Sequence, residues 1–347
     1  MSPHAPAIFS RRNDAEETAF QSYCATAGIT LYVDEYEEAH VELVNLANPN
    51  LIFTKPLPVP HGKEEGVWVC FPWKHTAVHT LEKKDYHAVR LSRNHDLITQ
   101  EEQALLSEKR VAFAGLNVGN PAAVCMVQEG VGGTFAFADN DILGLSNLNR
   151  FRAGLCEVGL NKAVLSAHQA YEIDPFVDID LYPNGITPEN LEEFLEGADL
   201  FVEEMDNLPL KIITREQAKA KKIPTIMVTG NGGGCVLDIE RYDLEPELEI
   251  LSGELPAATR EAILSGGSIT PQEKMRLARD FMGEGTLTER LFLSFDKVGK
   301  TLIGIPQLSE ASFLRGAVLT SVARSILLGD KVPSGRYSIQ LSDIWKN

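Results

Sequence analysis

Long hydrophobic runs are missing: no stretch approaches the ~18 apolar residues of a membrane span, so a membrane-embedded chain is not expected. Met1 to Asn13 lacks the apolar centre of a secretion signal, and a soluble cytoplasmic protein is expected. Cysteine is sparse, with five residues (Cys24, Cys70, Cys125, Cys156, Cys235) and no C-x-x-C pair. That spacing argues against a structural zinc site, a redox motif or a disulfide framework, and most of the five are expected as buried small side chains. Positive charge is also short. Against 49 acidic residues stand 32 basic ones, a net −17, so general binding to nucleic acid or to an anionic membrane is not expected. A pocket of opposite local charge remains compatible with a nucleotide.

What is present is an ordinary globular composition, 44% apolar and 23% charged, across 347 residues. Residues 1–88 mix helical patterns (Ala15 to Ala27, Glu37 to Ala47) with β-like runs at Ile29 to Val33 and Val67 to Phe71. A proline-punctuated stretch, Lys55 to Gly62, interrupts them. This region is expected to be a small α+β accessory module. From Arg110 onward strands and helices alternate. Strands are expected at Val111–Ala114, Thr134–Ala138, Val177–Leu181, Leu200–Val202 and Thr225–Val228. Helices are expected at Pro121 to Glu129, Lys162 to Tyr171, Thr187 to Glu196 (with Thr187 as N-cap) and Leu210 to Lys221. The fold class that follows is α/β: a doubly wound, Rossmann-like, mainly parallel sheet with an N-terminal α+β module. Asn231 to Gly234 reads as a flexible connection, and the chain is expected to cross over near residues 230–235. Ala311 to Leu328 carries a helical apolar stripe that includes Phe313, Leu319 and Ile326, expected to pack in the core.

The first strand of the alternating region runs into Gly115-Leu116-Asn117-Val118-Gly119-Asn120-Pro121, where glycines permit a backbone to approach a phosphate. The second ends at Asp139, where an acid commonly holds a nucleotide ribose. These two features alone fit a nicotinamide dehydrogenase as well as any other nucleotide protein. The next residues favour phosphate chemistry. Asn147, Asn149, Arg150 and Lys162 supply cations and amides that neutralise charge on a transferring group, which hydride transfer does not need. Glu203-Glu204-Met205-Asp206-Asn207 puts carboxylates at another strand end, where one of them, together with phosphate oxygens, could hold Mg²⁺.

Phe137-Ala-Asp139-Asn-Asp141, Ser146-Asn-Leu-Asn-Arg150, Gly159-x-x-Lys162 and Asp206-Asn207 together resemble the hallmark of the ThiF/MoeB/ubiquitin-activating (E1-like) adenylating enzymes. The likeness runs from about Arg90 to Asp243, and Arg90-Leu-Ser-Arg93 is similar to that family's Arg-Tyr-x-Arg element. The resemblance implies ATP carried with Mg²⁺, while the missing C-x-x-C pairs imply no zinc. It implies that Gly115 and Gly119 back the phosphates, that Asp139 holds the ribose, and that Asn147, Asn149, Arg150 and Lys162 contact the nucleotide. Asp206 would position Mg²⁺, with an additional role as a helix N-cap, and Arg93 would complete the neighbouring site of a homodimer.

The chain departs from that family as well. Asn117 and Val118 stand where a Gly-Gly pair is usual, and the zinc-binding cysteine pairs are absent. No residue stands convincingly at a thioester or persulfide cysteine position; Cys235 is the nearest candidate, and a packed small residue is its expected role. Members without that cysteine include peptide-maturation enzymes of the microcin C and pantocin A types. Their likeness implies adenylation of a carboxylate on a ribosomally made precursor peptide, leading to dehydration or cyclisation, with residues 1–88 as a possible peptide clamp. Activation of a ubiquitin-like or sulfur-carrier protein is the alternative partner reading. A non-catalytic E1-like binding protein and an NAD-binding Rossmann enzyme also stay open.

Overall fold

The computed structural model describes residues 4–54, 65–265, 270–283 and 285–345. The proline-punctuated stretch Lys55 to Gly62 lies outside the described residues. The chain divides into two compact units, Met1–Gln103 with His168–Val177, and Ala104–Ala167 with Asp178–Asn347. Among the described residues no helix is long and apolar enough to cross a membrane.

The first unit holds β1 (Ala7–Phe9), α1 (Asp14–Ala27), β2 (Leu31–Asp34), α2 (Tyr36–Ala47), β3 (Val67–Phe71), β4 (Thr76–Thr80) and α3 (Lys83–Arg90). α4 (Gln100–Ser107) leads out of it. Its four strands run in the order β1-β3-β4-β2, with only β2 and β4 parallel. Asn13 caps α1 by accepting the Glu16 N–H, and Gly28 ends it in the left-handed conformation. Phe20 and Cys24 of α1 then face Ala7, Cys70 and Ala77 of the sheet to make a small core. His87 and Arg90 of α3 both meet the buried carboxylate of Asp174, the Arg90 contact at 2.8 Å.

The second unit is the expected sheet. Its elements are β5 (Arg110–Ala114), α5 (Asn120–Glu129), β6 (Thr134–Ala138), α6 (Lys162–Ile173, which continues into the first unit), β7 (Asp178–Tyr182), α7 (Leu191–Phe194), β8 (Leu200–Glu203) and α8 (Leu208–Ala220). β9 (Thr225–Asn231), β10 (Gly234–Glu240), α9 (Ala257–Leu264), α10 (Pro271–Met282), α11 (Glu289–Phe295), α12 (Ser309–Leu327) and β11 (Gly335–Gln340) follow. Seven strands run in the order β11-β10-β9-β8-β5-β6-β7, parallel from β9 to β7. β5 is fully apolar beyond Arg110 because both its faces are covered, the pattern of a central parallel strand. Strand order reverses at β5, with β6 on one side and β8 on the other, so a crevice opens at the carboxyl ends of these strands.

Three sequence expectations need correction. Asn231 to Gly234 is not a flexible connection: β9 and β10 pair antiparallel through a tight hairpin with Gly232 at φ +66°. Asn231 anchors the turn, accepting from Thr288 N and donating to Thr286 O, each at 2.7 Å. The helix expected from Thr187 to Glu196 is only α7, because Asn190 Oδ1 accepts the Thr187 N–H and holds the start as a turn. Finally, Phe313 is 54% exposed, with the Arg152 guanidinium 4.8 Å from its ring centre. Leu319, Ile326 and Leu327 of the expected stripe are buried, but the rest of the buried face of α12 is Ala311, Ser312, Arg315, Gly316, Thr320 and Ala323. Small residues win there because α5 lies close: a Cβ on Gly316 would come within 2.9 Å of Pro121.

Candidate functional site

The loop after β5 is built by exclusion. Gly115 sits at φ +89°, and a Cβ there would lie 2.4 Å from the Glu204 carbonyl group. A Cβ on Gly119 would lie 2.5 Å from Gly115 O, so the loop folds back tightly on itself before α5 begins. Asp139 staples this loop to the end of β6. One carboxylate oxygen accepts Leu116 N–H at 2.6 Å, and the other accepts Asp141 N–H at 2.8 Å. Burial pushes the Asp139 pKa up despite these two donors. Gly115→Ala should therefore displace the Glu204–Met205 backbone and store strain of about 1–3 kcal/mol. Calorimetry should show loss of nucleotide binding, and an unchanged affinity would refute this role for the loop.

These elements open onto a cavity of about 530 Å³, within the range of a small-molecule site. Of the expected site residues, Gly115, Asp139 and Asp206 line it. Sequence reasoning missed the opposite wall, where Ile263 of α9 and Lys274 and Leu277 of α10 contribute. No signal in the charged 254–280 stretch singled them out. Asp206 is exposed and does not cap α8; that role falls to Asn207, whose side chain accepts Leu210 N–H at 3.1 Å.

The remaining expected residues do not line this cavity. Asn147 Oδ1 accepts Gly144 N–H at 2.9 Å, and Asn149 Nδ2 donates to Gln307 O at 3.0 Å. Arg150 Nη1 donates to Ser146 O and Asn149 Oδ1, while its buried Nε finds no acceptor among the described residues. Burial lowers the Arg150 pKa, and Asp206 acts in the opposite direction. Lys162, only 4% exposed, is held by Asp141 Oδ2 at 2.8 Å. Arg93 lies in a one-turn 3₁₀ segment, Ser92–Asn94, of the first unit. Cys235 is fully buried in β10, and burial pushes its thiol up to about 11, the state of a packed side chain.

The two acids that end β8 have separate fates. Glu203 is fully buried and bound by Lys211 and by Arg215, whose Nε also meets Glu240 Oε2 at 2.9 Å. Burial alone would raise Glu203, yet the two cations hold its carboxyl below the usual range. Glu204 has no such partner. Its Oε1 accepts Val228 N–H at 2.6 Å, and burial pushes it up to about 8. A raised carboxyl pKa means that the folded state binds the proton more tightly than the unfolded one. Its stabilising effect is complete below the unfolded value and is lost as pH climbs through about 8. Glu204→Gln should therefore flatten the fall in urea midpoint between about pH 5 and 8. Parallel profiles for the two proteins would contradict it.

Residues 91–249 match the model of the ThiF family. Over these 159 residues, just under half of the chain, the sequence is similar to the ThiF family. An uncharacterized protein of Mycobacterium tuberculosis (strain CDC 1551 / Oshkosh) is 37% identical over 288 residues, covering 83% of this chain and 40% of that protein. The tRNA threonylcarbamoyladenosine dehydratase of Escherichia coli (strain K12) is 25% identical over 179 residues, 51% of this chain and 66% of the relative. The chain therefore spans about two fifths of the first relative and just under two thirds of the second. A crystal structure of the E. coli dehydratase, TcdA, in complex with AMP, shares the fold. The TM-score is 0.52 at 19% identity, over 72% of this chain and 97% of that one.

Proposed function

We propose that this protein is an E1-like adenylating enzyme that joins a carboxylate to the AMP moiety of ATP. The observation that carries this reading is the cradle in which Asp139 ties down a glycine loop too tight for any Cβ, at the switch point of a ThiF-like sheet. The residues present fit the nucleotide. Each Asp139 oxygen accepts one N–H and keeps a lone pair for a ribose hydroxyl. Gly115 and Gly119 leave backbone room for phosphates, and Asn147 and Asn149 are assigned as further nucleotide contacts by the family motif.

In the reaction a carboxylate oxygen bonds to the α-phosphorus while the bond to pyrophosphate breaks. The demand on the protein is positioning and charge neutralisation, which Arg150 and Lys162 supply. Lys162 leaves Asp141 for the phosphate that attracts it more strongly. Mg²⁺ would arrive with ATP and take Asp206 as its protein oxygen ligand, screening the departing charge.

For the acyl partner we favour a ribosomally made precursor peptide, gripped by residues 1–88, in a cytoplasmic homodimer whose sites Arg93 completes. A small carrier protein is the second reading, favoured by relatives such as the sulfur carrier protein adenylyltransferase of Thermus thermophilus, 31% identical over 120 residues. ATP–pyrophosphate exchange against candidate peptides and carriers tests the proposal. Mass spectrometry of the product separates the partners: water lost from a short peptide supports maturation, and a thiocarboxylate on a carrier terminus supports the alternative. NAD binding without ATP binding would overturn adenylation altogether.

A further inference from the structure

α12 carries a buried guanidinium that the adenylation reading leaves without a task. Arg315 is 2% exposed, yet its Nε has no acceptor among the described residues, and Nη2 reaches only Gln307 Oε1, at 3.4 Å. An unpaired buried cation is costly, and a fold retains one where a counter-ion arrives. Arg315 lies against the end of β9, where a Cβ on Gly230 would stand 2.5 Å from Nη1; the glycine makes room for the guanidinium.

The same corner holds Arg150. Ser312, one turn before Arg315 on α12, donates to Arg150 O at 2.9 Å, and Asn149 donates to Gln307 O at 3.0 Å. These bonds stitch the Arg150 turn to the start of α12. Two arginines thus share one locality, each with a buried Nε that lacks an acceptor among the described residues. The acid nearest Arg315 in electrostatic effect is Glu204, which burial keeps protonated to about pH 8. Glu204 therefore offers little charge in return, and burial together with Arg150 weighs on the Arg315 pKa.

Along the carboxyl edge of the sheet the order is Asp139 after β6, Gly115 after β5, Asp206 after β8, and Gly230 with Arg315 at β9. Neighbouring strands stand about 4.8 Å apart, so ribose site and Arg315 are separated by three strand spacings, roughly 14 Å. A nucleotide with its ribose at Asp139 and phosphates past Gly115 extends its far end in this direction.

We infer that Arg315, paired with Arg150, is a binding residue for a diphosphate: the β- and γ-phosphates of ATP and the pyrophosphate they become. The inference rests on the adenylation reading and assigns a residue that the E1-like motifs do not contain. A guanidinium fork suits two phosphate oxygens at once, and lysine does not reproduce it.

The test is calorimetric titration of the full chain with Mg²⁺–ATP, Mg²⁺–pyrophosphate and AMP, for the native protein, Arg315→Met and Arg315→Lys. Loss of a charge-assisted contact predicts that both variants bind pyrophosphate and ATP about ten- to a hundredfold more weakly. AMP affinity should stay within about twofold, since AMP lacks those phosphates. Arg315→Lys keeps the buried charge and provides the readout if Arg315→Met fails to fold. Unchanged pyrophosphate affinity in the variants, with ATP still bound, overturns the inference and leaves adenylation standing. Equal losses for AMP and pyrophosphate overturn it too, because the effect is then on the whole cavity. A native protein that binds neither ATP nor AMP overturns adenylation and this inference together.

Discussion

Lys162→Ala should lower substrate-dependent ATP–pyrophosphate exchange by about a hundred- to a thousandfold, the usual effect of removing one group that stabilises transition-state charge. The side chain touches Asp141, which is itself well exposed, and the buried Asp139 beside it keeps its two N–H donors when the lysine is lost. Circular dichroism should accordingly report an intact fold. Exchange retained in that variant would remove Lys162 from the mechanism. Arg93→Ala should be inactive by a different route if, as proposed, Arg93 reaches the nucleotide of a neighbouring subunit. Mixing the two inactive proteins should restore part of the activity through dimers with one complete site. A mixture as dead as its components would end the shared-site proposal.

Arg215→Met should give the largest stability loss in the chain, about 3–5 kcal/mol in urea unfolding. Arg215 is wholly buried and joins Glu203 to Glu240, while Tyr242 OH also donates to Glu240. Removing the guanidinium leaves carboxylates confined in the interior. They must recruit protons, so the deficit should shrink as pH falls through the carboxylate range. A variant within 1 kcal/mol of the native protein, by the scale of ordinary surface substitutions, would mean that the network contributes little.

Those two residues differ in how far sequence could reveal them. Lys162 was reachable through the family resemblance, whose motif places a lysine at this interval after Asp139 and Arg150. Arg215 sits in a charged helix, Leu208–Ala220, whose sequence gives no cue that one cation points inward. Its partners Glu203 and Glu240 lie on two different strands, and only tertiary packing unites them. The central strands were legible because parallel strands covered on both faces are apolar runs, as Val111–Ala114 and Thr134–Ala138 are. The β9–β10 hairpin escaped because its glycines suggest looseness, although an Asn-Gly step between two apolar runs is also a turn signal. On α12 the apolar stripe misled only in part: Leu319, Ile326 and Leu327 are buried as expected, while the nearness of α5 favours residues with little or no side chain on the contact face.

On the proposed reading Asp139 combines two tasks in one carboxylate, closing the loop and holding a ribose, which narrows the routes by which this domain can change. In a nucleotide protein whose ribose acid only touches ligand, substitution can trade one nucleotide preference for another at small cost to the scaffold. Here the same oxygens close the glycine loop through Leu116 and Asp141. A drifting lineage that loses this acid loses loop geometry together with affinity. Diversification of substrate is then steered towards Lys274 on the α9–α10 wall, which is exposed and borders the cavity, whereas its neighbours Ile263 and Leu277 are buried in the core and less free to vary.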